Sequence, residues 1–285
     1  MRQDLSPRGI GRIIDDAFEL YRANFTTIGL GAAMILFPIG LLVGISQVFY
    51  SRGLISVIPA LLDGSTQFDE FTRLQLWASI SNLVAPLMLV ARLYVSSAIF
   101  AAAPGMLSGR RYGVKEFLRG GLARFGWLLL VAILVSMATS TGFLFLIVPG
   151  VYLWARLSIA RVACVVEVAP LDRSFARSWA LTSGRVWRTL GFGLGLTILT
   201  FTLESAIDSP AVLRQIFSSV TNPEAMFAEL SVGWKVLEGV LSATALSIVY
   251  PFVELAWFFY YLDLRARHEG MDLVQRAARL TQRAS

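Results

Sequence analysis

Residues 125–168 read FGWLLLVAILVSMATSTGFLFLIVPGVYLWARLSIARVACVVEV, and this stretch decides the fold. It is apolar almost throughout and is interrupted by Pro149 and Gly150. A membrane-spanning helix needs roughly 20 mostly apolar residues, so the stretch is about twice too long for one helix. Proline and glycine together favour a turn. The pattern therefore predicts two spans joined by a tight turn, with a re-entrant loop as the alternative.

Long apolar runs also occur through the rest of the chain. Of its 285 residues 56% are hydrophobic and 15% charged, whereas soluble domains carry roughly 25% charged residues. We therefore predict an all-α, polytopic membrane helical bundle forming a single integral membrane domain over residues 1–285. The predicted spans are Phe25–Tyr50, Leu74–Ala103, Phe125–Val148, Gly150–Val168, Val186–Ile207 and Val236–Leu262.

Arginine and lysine are distributed unevenly between the two sets of loops. Positive residues favour the cytoplasmic side of a membrane. One set carries Arg2, Arg8, Arg12, Arg22, Arg110, Arg111, Lys115, Arg119, Arg124, Arg173, Arg177, Arg185, Arg188, Arg265, Arg267, Arg276, Arg279 and Arg283. The opposite set holds Arg52, Arg73, Arg214 and Lys235. The asymmetry predicts that both termini lie in the cytoplasm.

Three segments before spans one, three and five are expected to form amphipathic surface helices. In residues 6–24, Ser6 can cap a helix and Pro7 suits its first position. Apolar and charged residues then alternate at helical spacing, which suits the membrane interface. Residues 170–184 behave similarly, and residues 114–122 are a shorter version. Either a threefold repeat of surface helix plus hairpin, or inner loops that are simply basic and amphipathic, explains this.

Few residues are available for chemistry. The chain has one cysteine, Cys164, and one histidine, His268. One cysteine cannot form an intrachain disulfide, and these two residues alone do not make a zinc site. No Walker, zinc-protease or nucleophile-elbow motif occurs. We therefore expect no enzyme, cofactor or metal. The net charge of +6 is explained by the basic loops, so nucleic acid is not an expected partner.

Ionisable residues inside the spans are the candidate functional residues: Arg92, Arg156, Arg161, Glu204 and Glu254. A charge at mid-span costs roughly 2.5–3.5 kcal/mol on insertion scales, and it often marks function. Depth along the spans predicts pairing of Arg92 with Glu254 and of Arg156 with Glu204, and it leaves Arg161 without an obvious partner. The charges either hold the bundle together as ion pairs or bind an anionic head group.

Four stretches carry a family resemblance. They are IDDAFELYRANF at 14–25, PGVYLWARLS at 149–158, SFARSWALTSGRVWR at 174–188 and YLDLRARHEGMDL at 261–273. Together they resemble the membrane domain attached to some bacterial glycerophosphoryl diester phosphodiesterases, which also occurs alone in bacterial membrane proteins of unknown function. The resemblance covers essentially the whole chain and implies a location in the bacterial cytoplasmic (inner) membrane. The catalytic barrel of those enzymes uses two histidines, and this chain has one, so the resemblance implies no activity here.

The sequence therefore favours a non-catalytic integral membrane protein that is a structural or assembly component of a membrane complex. Its expected partners are membrane lipids, with other membrane subunits or further copies of the chain as candidates. The alternative is a transporter or lipid-handling protein that uses the buried arginines. An unrecognised intramembrane enzyme is the third hypothesis.

Overall fold

The structure is a computed structural model that describes residues 8–62, 68–221 and 232–270. These residues are almost entirely helical and contain no strand. The helices of the described residues are α1 (Ile10–Ala23), α2 (Phe25–Leu62), α3 (Phe68–Leu107), α4 (Val114–Phe145), α5 (Ile147–Leu157), α6 (Ala160–Val166), α7 (Leu171–Thr182), α8 (Val186–Thr221) and α9 (Val232–Glu269). The all-α class predicted from the sequence is confirmed.

Six helical segments are long and apolar enough to cross a membrane, in the order that the sequence predicts. Helices α5 and α6 together form one of these segments. The segments are Phe25–Tyr50, Thr72–Leu107, Val114–Phe145, Ile147–Val166, Val186–Pro210 and Val232–Glu269. The predicted number of spans therefore agrees with the structure. The type of membrane and the direction of the termini stay predictions.

The turn between the third and fourth spans differs from its prediction. Helix α4 ends at Phe145, and the extended residue is Leu146 (φ −165°, ψ 155°) rather than Pro149 or Gly150. Pro149 instead occupies the first turn of α5, where the missing N–H would have no helical partner in any case. A Cβ atom added at Gly142 would lie 2.9 Å from the Cα atom of Gly150, so α4 and α5 pack closely at this point.

The expected surface segments have mixed outcomes. Helix α1 begins at Ile10 behind Gly9, while the predicted cap at residues 6 and 7 lies outside the described residues. Helix α7 forms within residues 170–184 as expected. Residues 114–122 are not a separate helix, because they are continuous with the span in α4. The interfacial position of α1 stays a prediction.

The chain divides into two compact units, and the single domain expected from the sequence stays a prediction. The first unit comprises Met1–Gly31, Leu93–Ile198 and Pro251–Ser285. Its core is rich in aromatic residues: the rings of Phe192 and Tyr260 stack with centroids 4.2 Å apart. The buried face of α1 joins this core, with the rings of Tyr21 and Phe252 6.5 Å apart.

The second unit comprises Ala32–Arg92 and Leu199–Tyr250. Its helices approach closely where small residues meet. A Cβ atom at Gly44 would lie 3.2 Å from the Cα atom of Gly239. Ser81 donates a hydrogen bond to Ser46 over 3.0 Å, which joins α3 to α2. Small residues and hydroxyl groups at helix contacts are typical of membrane bundles.

Candidate functional site

Arg161 and Glu254 form an ion pair in the first unit. A guanidinium nitrogen of Arg161 on α6 lies 3.7 Å from a carboxylate oxygen of Glu254 on α9. Glu254 is 2% exposed. The helical path breaks at Ser158 and Ile159, between α5 and α6, and α6 carries Arg161. Sequence depth left Arg161 without a partner, and that interpretation is wrong.

Arg156 is held by a different kind of contact. It is 5% exposed, and its guanidinium lies 4.1 Å from the ring centroid of Trp179 and 5.8 Å from that of Tyr152. One of its nitrogens is 3.4 Å from the hydroxyl of Thr182, the last residue of α7. The hydroxyl of Ser178 donates to the backbone carbonyl of Arg156 over 2.7 Å. Its partners in the first unit are thus hydroxyls and aromatic rings.

These contacts stabilise the buried cation of Arg156. The C-terminus of a helix carries partial negative charge and stabilises a nearby cation by up to about 2 kcal/mol. A desolvated cation–π contact contributes about 2 kcal/mol. Their sum is comparable with the roughly 2.5–3.5 kcal/mol cost of an arginine at mid-span. These contacts offset much of that cost, and the pairing of Arg156 with Glu204 stays a prediction.

Arg92 and Glu204 belong together in the second unit. The charge of Arg92 acts attractively on Glu204, while that of Asp208 acts repulsively. The guanidinium of Arg92 lies 5.4 Å from the ring centroid of Tyr250. Sequence depth assigned Arg92 to Glu254 instead. Within the units, Glu254 pairs with Arg161 and Glu204 interacts with Arg92. The predicted pairs Arg92–Glu254 and Arg156–Glu204 stay predictions.

Asp263 is the centre of a charged network that the sequence analysis missed. Its carboxylate accepts hydrogen bonds from the backbone N–H of Arg8 over 2.6 Å, from Arg188 over 2.9 Å and from Arg267 over 2.9 Å. The same two arginines also donate to the backbone carbonyl of Arg8, over 2.7 and 2.8 Å. The side chain of Asp263 has no exposed surface. We call these four residues the Asp263 clamp.

A second network lies beside the clamp. Arg177 on α7 binds Glu167 over 2.8 Å and also binds Glu269 on α9. The hydroxyl of Tyr261 donates to Glu167, and Arg265 binds Glu269 over 2.8 Å. Burial alone would lower the pKa of Arg177, but its bonds to the two carboxylates raise the pKa overall. This network therefore fixes the charged state of Arg177 and joins α7 to α9.

The sequence did contain a signal for both networks. Asp263 and Arg267, and likewise Arg265 and Glu269, are four residues apart, which places them on one helical face. They lie in the 261–273 stretch that carries the family resemblance, and Arg188 lies in another such stretch. These charges stand at the ends of apolar runs, so the depth of residues inside the spans does not point to them.

Two adjoining spaces open at the connection between α6 and α7. A cavity of about 180 Å³ is lined by Arg124, Trp127 and Cys164. An open groove of about 470 Å³ is lined by Glu167, Arg173 and Arg177. Both share the walls formed by residues 168–170. We call them together the basic groove.

The five residues named as candidates from the sequence are divided between the two units, and their role as a site stays a prediction. Arg156, Arg161 and Glu254 lie in the first unit, and Arg92 and Glu204 lie in the second. None of the five lines the basic groove. The family resemblance has no independent support, since no protein-family model, curated protein or solved structure matches this chain.

Proposed function

We propose that this chain is a non-catalytic integral membrane protein that serves as a structural or assembly component of a membrane complex. The observation that carries the proposal is the tip of the α4–α5 hairpin. It exposes five consecutive apolar side chains: Leu144 (85%), Phe145 (76%), Leu146 (69%), Ile147 (73%) and Val148 (78%). We call these residues the hairpin tip.

The hairpin tip is unsuited to water. Turns that leave a membrane usually carry polar residues and interfacial aromatic rings. A contiguous exposed apolar patch of this kind marks a surface for another protein or for lipid. The close packing of Gly142 on Gly150 holds the two helices together directly below the tip. The tip is thus a contiguous apolar surface on a closely packed hairpin, and we propose that a protein partner covers it.

The length of α4 supports this placement. Arg124 and Leu144 are 20 residues apart on one helix, and the helical rise is 1.5 Å per residue. The tip therefore lies about 30 Å from the basic groove, which is the thickness of a hydrocarbon core. We propose that the charged networks lie at the cytoplasmic interface of a bacterial inner membrane. The hairpin tip then lies at the outer edge of the hydrocarbon, where another membrane subunit or a second copy of the chain covers it.

The test is site-specific photo-crosslinking of the full chain in its native membrane. A photoreactive amino acid at Leu144 or Val148 should give a discrete protein adduct. The same probe at Leu130, an exposed apolar residue of the same helix, should give lipid adducts only. Two differently tagged copies of the chain tell self-association from a different subunit. Lipid adducts alone at both tip positions would contradict the proposal.

The alternative of lipid handling by buried arginines has less support. Arg161 lies against Glu254, and Arg156 is covered by Trp179 and the end of α7. An anionic ligand at either arginine would have to displace these contacts. The crosslinking experiment also tests this alternative, because a lipid-handling protein needs no protein partner at the hairpin tip.

A further inference from the structure

We propose that the basic groove binds the phosphate head group of an anionic phospholipid. This proposal is independent of the partner at the hairpin tip. It rests on three observations from the first unit, namely the charges that line the groove, its size, and the apolar surface that continues from it.

The charges of the groove favour an anion. Arg124 donates to the backbone carbonyl of Val165, and a guanidinium has five donors in all. Arg173 is exposed, and within the described residues it takes part in no ion pair. Glu167 is the opposing charge, but Arg177 already binds it. Arg124 and Arg173 therefore present positive charge that no carboxylate of the groove neutralises.

The groove has the size and chemistry that a phosphate needs. A bound water needs at least about 10–15 Å³ of cavity volume, so the cavity of about 180 Å³ is many times larger than one water requires. Arginine binds phosphate through two parallel hydrogen bonds, which makes it the common choice for this group. The groove opens outward at Val168, which is 67% exposed, so a head group can enter from the surface.

An apolar stripe on α4 distinguishes a lipid from free phosphate. Trp127 lines the cavity and is 56% exposed. Leu130, Ile133 and Met137 follow at spacings of three or four residues, and they are exposed by 50%, 47% and 61%. Residues at this spacing lie on one helical face. The stripe starts at the cavity and runs along the span, so an acyl chain can follow it while the phosphate stays in the basic groove.

The experiment is native mass spectrometry of the full chain in detergent. Dioleoyl phosphatidylglycerol and dioleoyl phosphatidylcholine are added at equal concentration. The wild type should retain phosphatidylglycerol preferentially, and Arg173→Gln and Arg124→Gln should each weaken its retention about fivefold, the effect of one basic residue near an anionic lipid. Arg111→Gln is the matched control, because Arg111 is exposed and does not line the groove. It should behave as the wild type.

Additional variants and competitors test the proposal further. Arg124→Gln removes an internal contact, whereas Arg173→Gln removes only an exposed charge, so the second variant still reports if the first fails to fold. Excess inorganic phosphate should not displace the lipid, since the apolar stripe contributes to its binding. Brominated phosphatidylglycerol should quench the fluorescence of Trp127, and this part of the quenching should be lost in Trp127→Phe. Equal retention of both lipids, equal loss in Arg111→Gln, or displacement by inorganic phosphate would overturn the proposal.

Discussion

Replacing Asp263 by asparagine should destabilise the first unit more than any exposed charge replacement. Asparagine has nearly the same shape, so packing is kept while the negative charge is lost. Arg188 and Arg267 then lose their common carboxylate, although the carbonyl of Arg8 still accepts from both. The side chain of Asp263 is wholly buried, and each arginine side chain is 27% exposed.

The magnitude follows from this burial. Removing one partner of a buried, hydrogen-bonded ion pair costs about 3–5 kcal/mol, because the opposite charge is left uncompensated. Here the arginines keep some solvent and one carbonyl, which places the expected loss near the lower limit, about 3 kcal/mol. Glu116→Gln is the matched control. Its ion pair with Arg110 is surface-exposed, at 47% and 62%, so its loss should be under about 1 kcal/mol.

The assay is reversible unfolding of the purified full chain in mixed micelles, followed by helical circular dichroism. Hydrogen exchange should show the same change locally, with faster exchange in α1 because the clamp holds the backbone of Arg8 directly before that helix. Combining Asp263→Asn with Arg267→Gln should cost less than the sum of the single changes. If Asp263→Asn destabilises no more than Glu116→Gln does, the Asp263 clamp has no structural importance and the reasoning fails.

Three other predictions follow from the fold. Gly142→Ala should destabilise the hairpin by about 1–3 kcal/mol through overpacking. At Gly126 an added Cβ atom meets nothing within 4 Å, so Gly126→Ala should stabilise α4 by about 0.5–1 kcal/mol. Shifts of the same sign in thermal unfolding would contradict this prediction. Arg161→Gln and Glu254→Gln should couple in a double-mutant cycle, since each change alone breaks the same ion pair, and purely additive losses would exclude a functional ion pair. A reporter fused at Asn222 should be external and one at the C-terminus internal; a cytoplasmic signal at Asn222 would refute the topology.

The sequence could predict the spans because length and apolar content alone determine them. Bilayer thickness sets how many apolar residues a helix needs, and six segments meet that requirement. The exact turn was harder to predict. Proline ends a helix when it stands in the interior, but it is tolerated in the first turn. For this reason the chain turns at Leu146, and Pro149 belongs to α5.

The partners of the buried charges could not be predicted in the same way. Counting residues from a span end gives the depth of a side chain, but it does not give its direction around the helix or the neighbour it faces. The break between α5 and α6 separates the helix that carries Arg156 from the one that carries Arg161. Arg156 then meets α7, and Arg161 meets Glu254. Contacts between residues far apart in the sequence, such as Arg8 and Asp263, leave no local sequence pattern from which to predict them.

The Asp263 clamp also determines when, during synthesis of the chain, α1 can dock. Its backbone contact joins residues 255 positions apart. Ribosomes add about 5–20 residues per second, so about 13–51 seconds pass between synthesis of Arg8 and synthesis of Asp263. During that interval α1 has no Phe252 to pack against, and its apolar face needs another cover, which the membrane surface can supply. Helix α1 can therefore reach its final position only after α9 has been made.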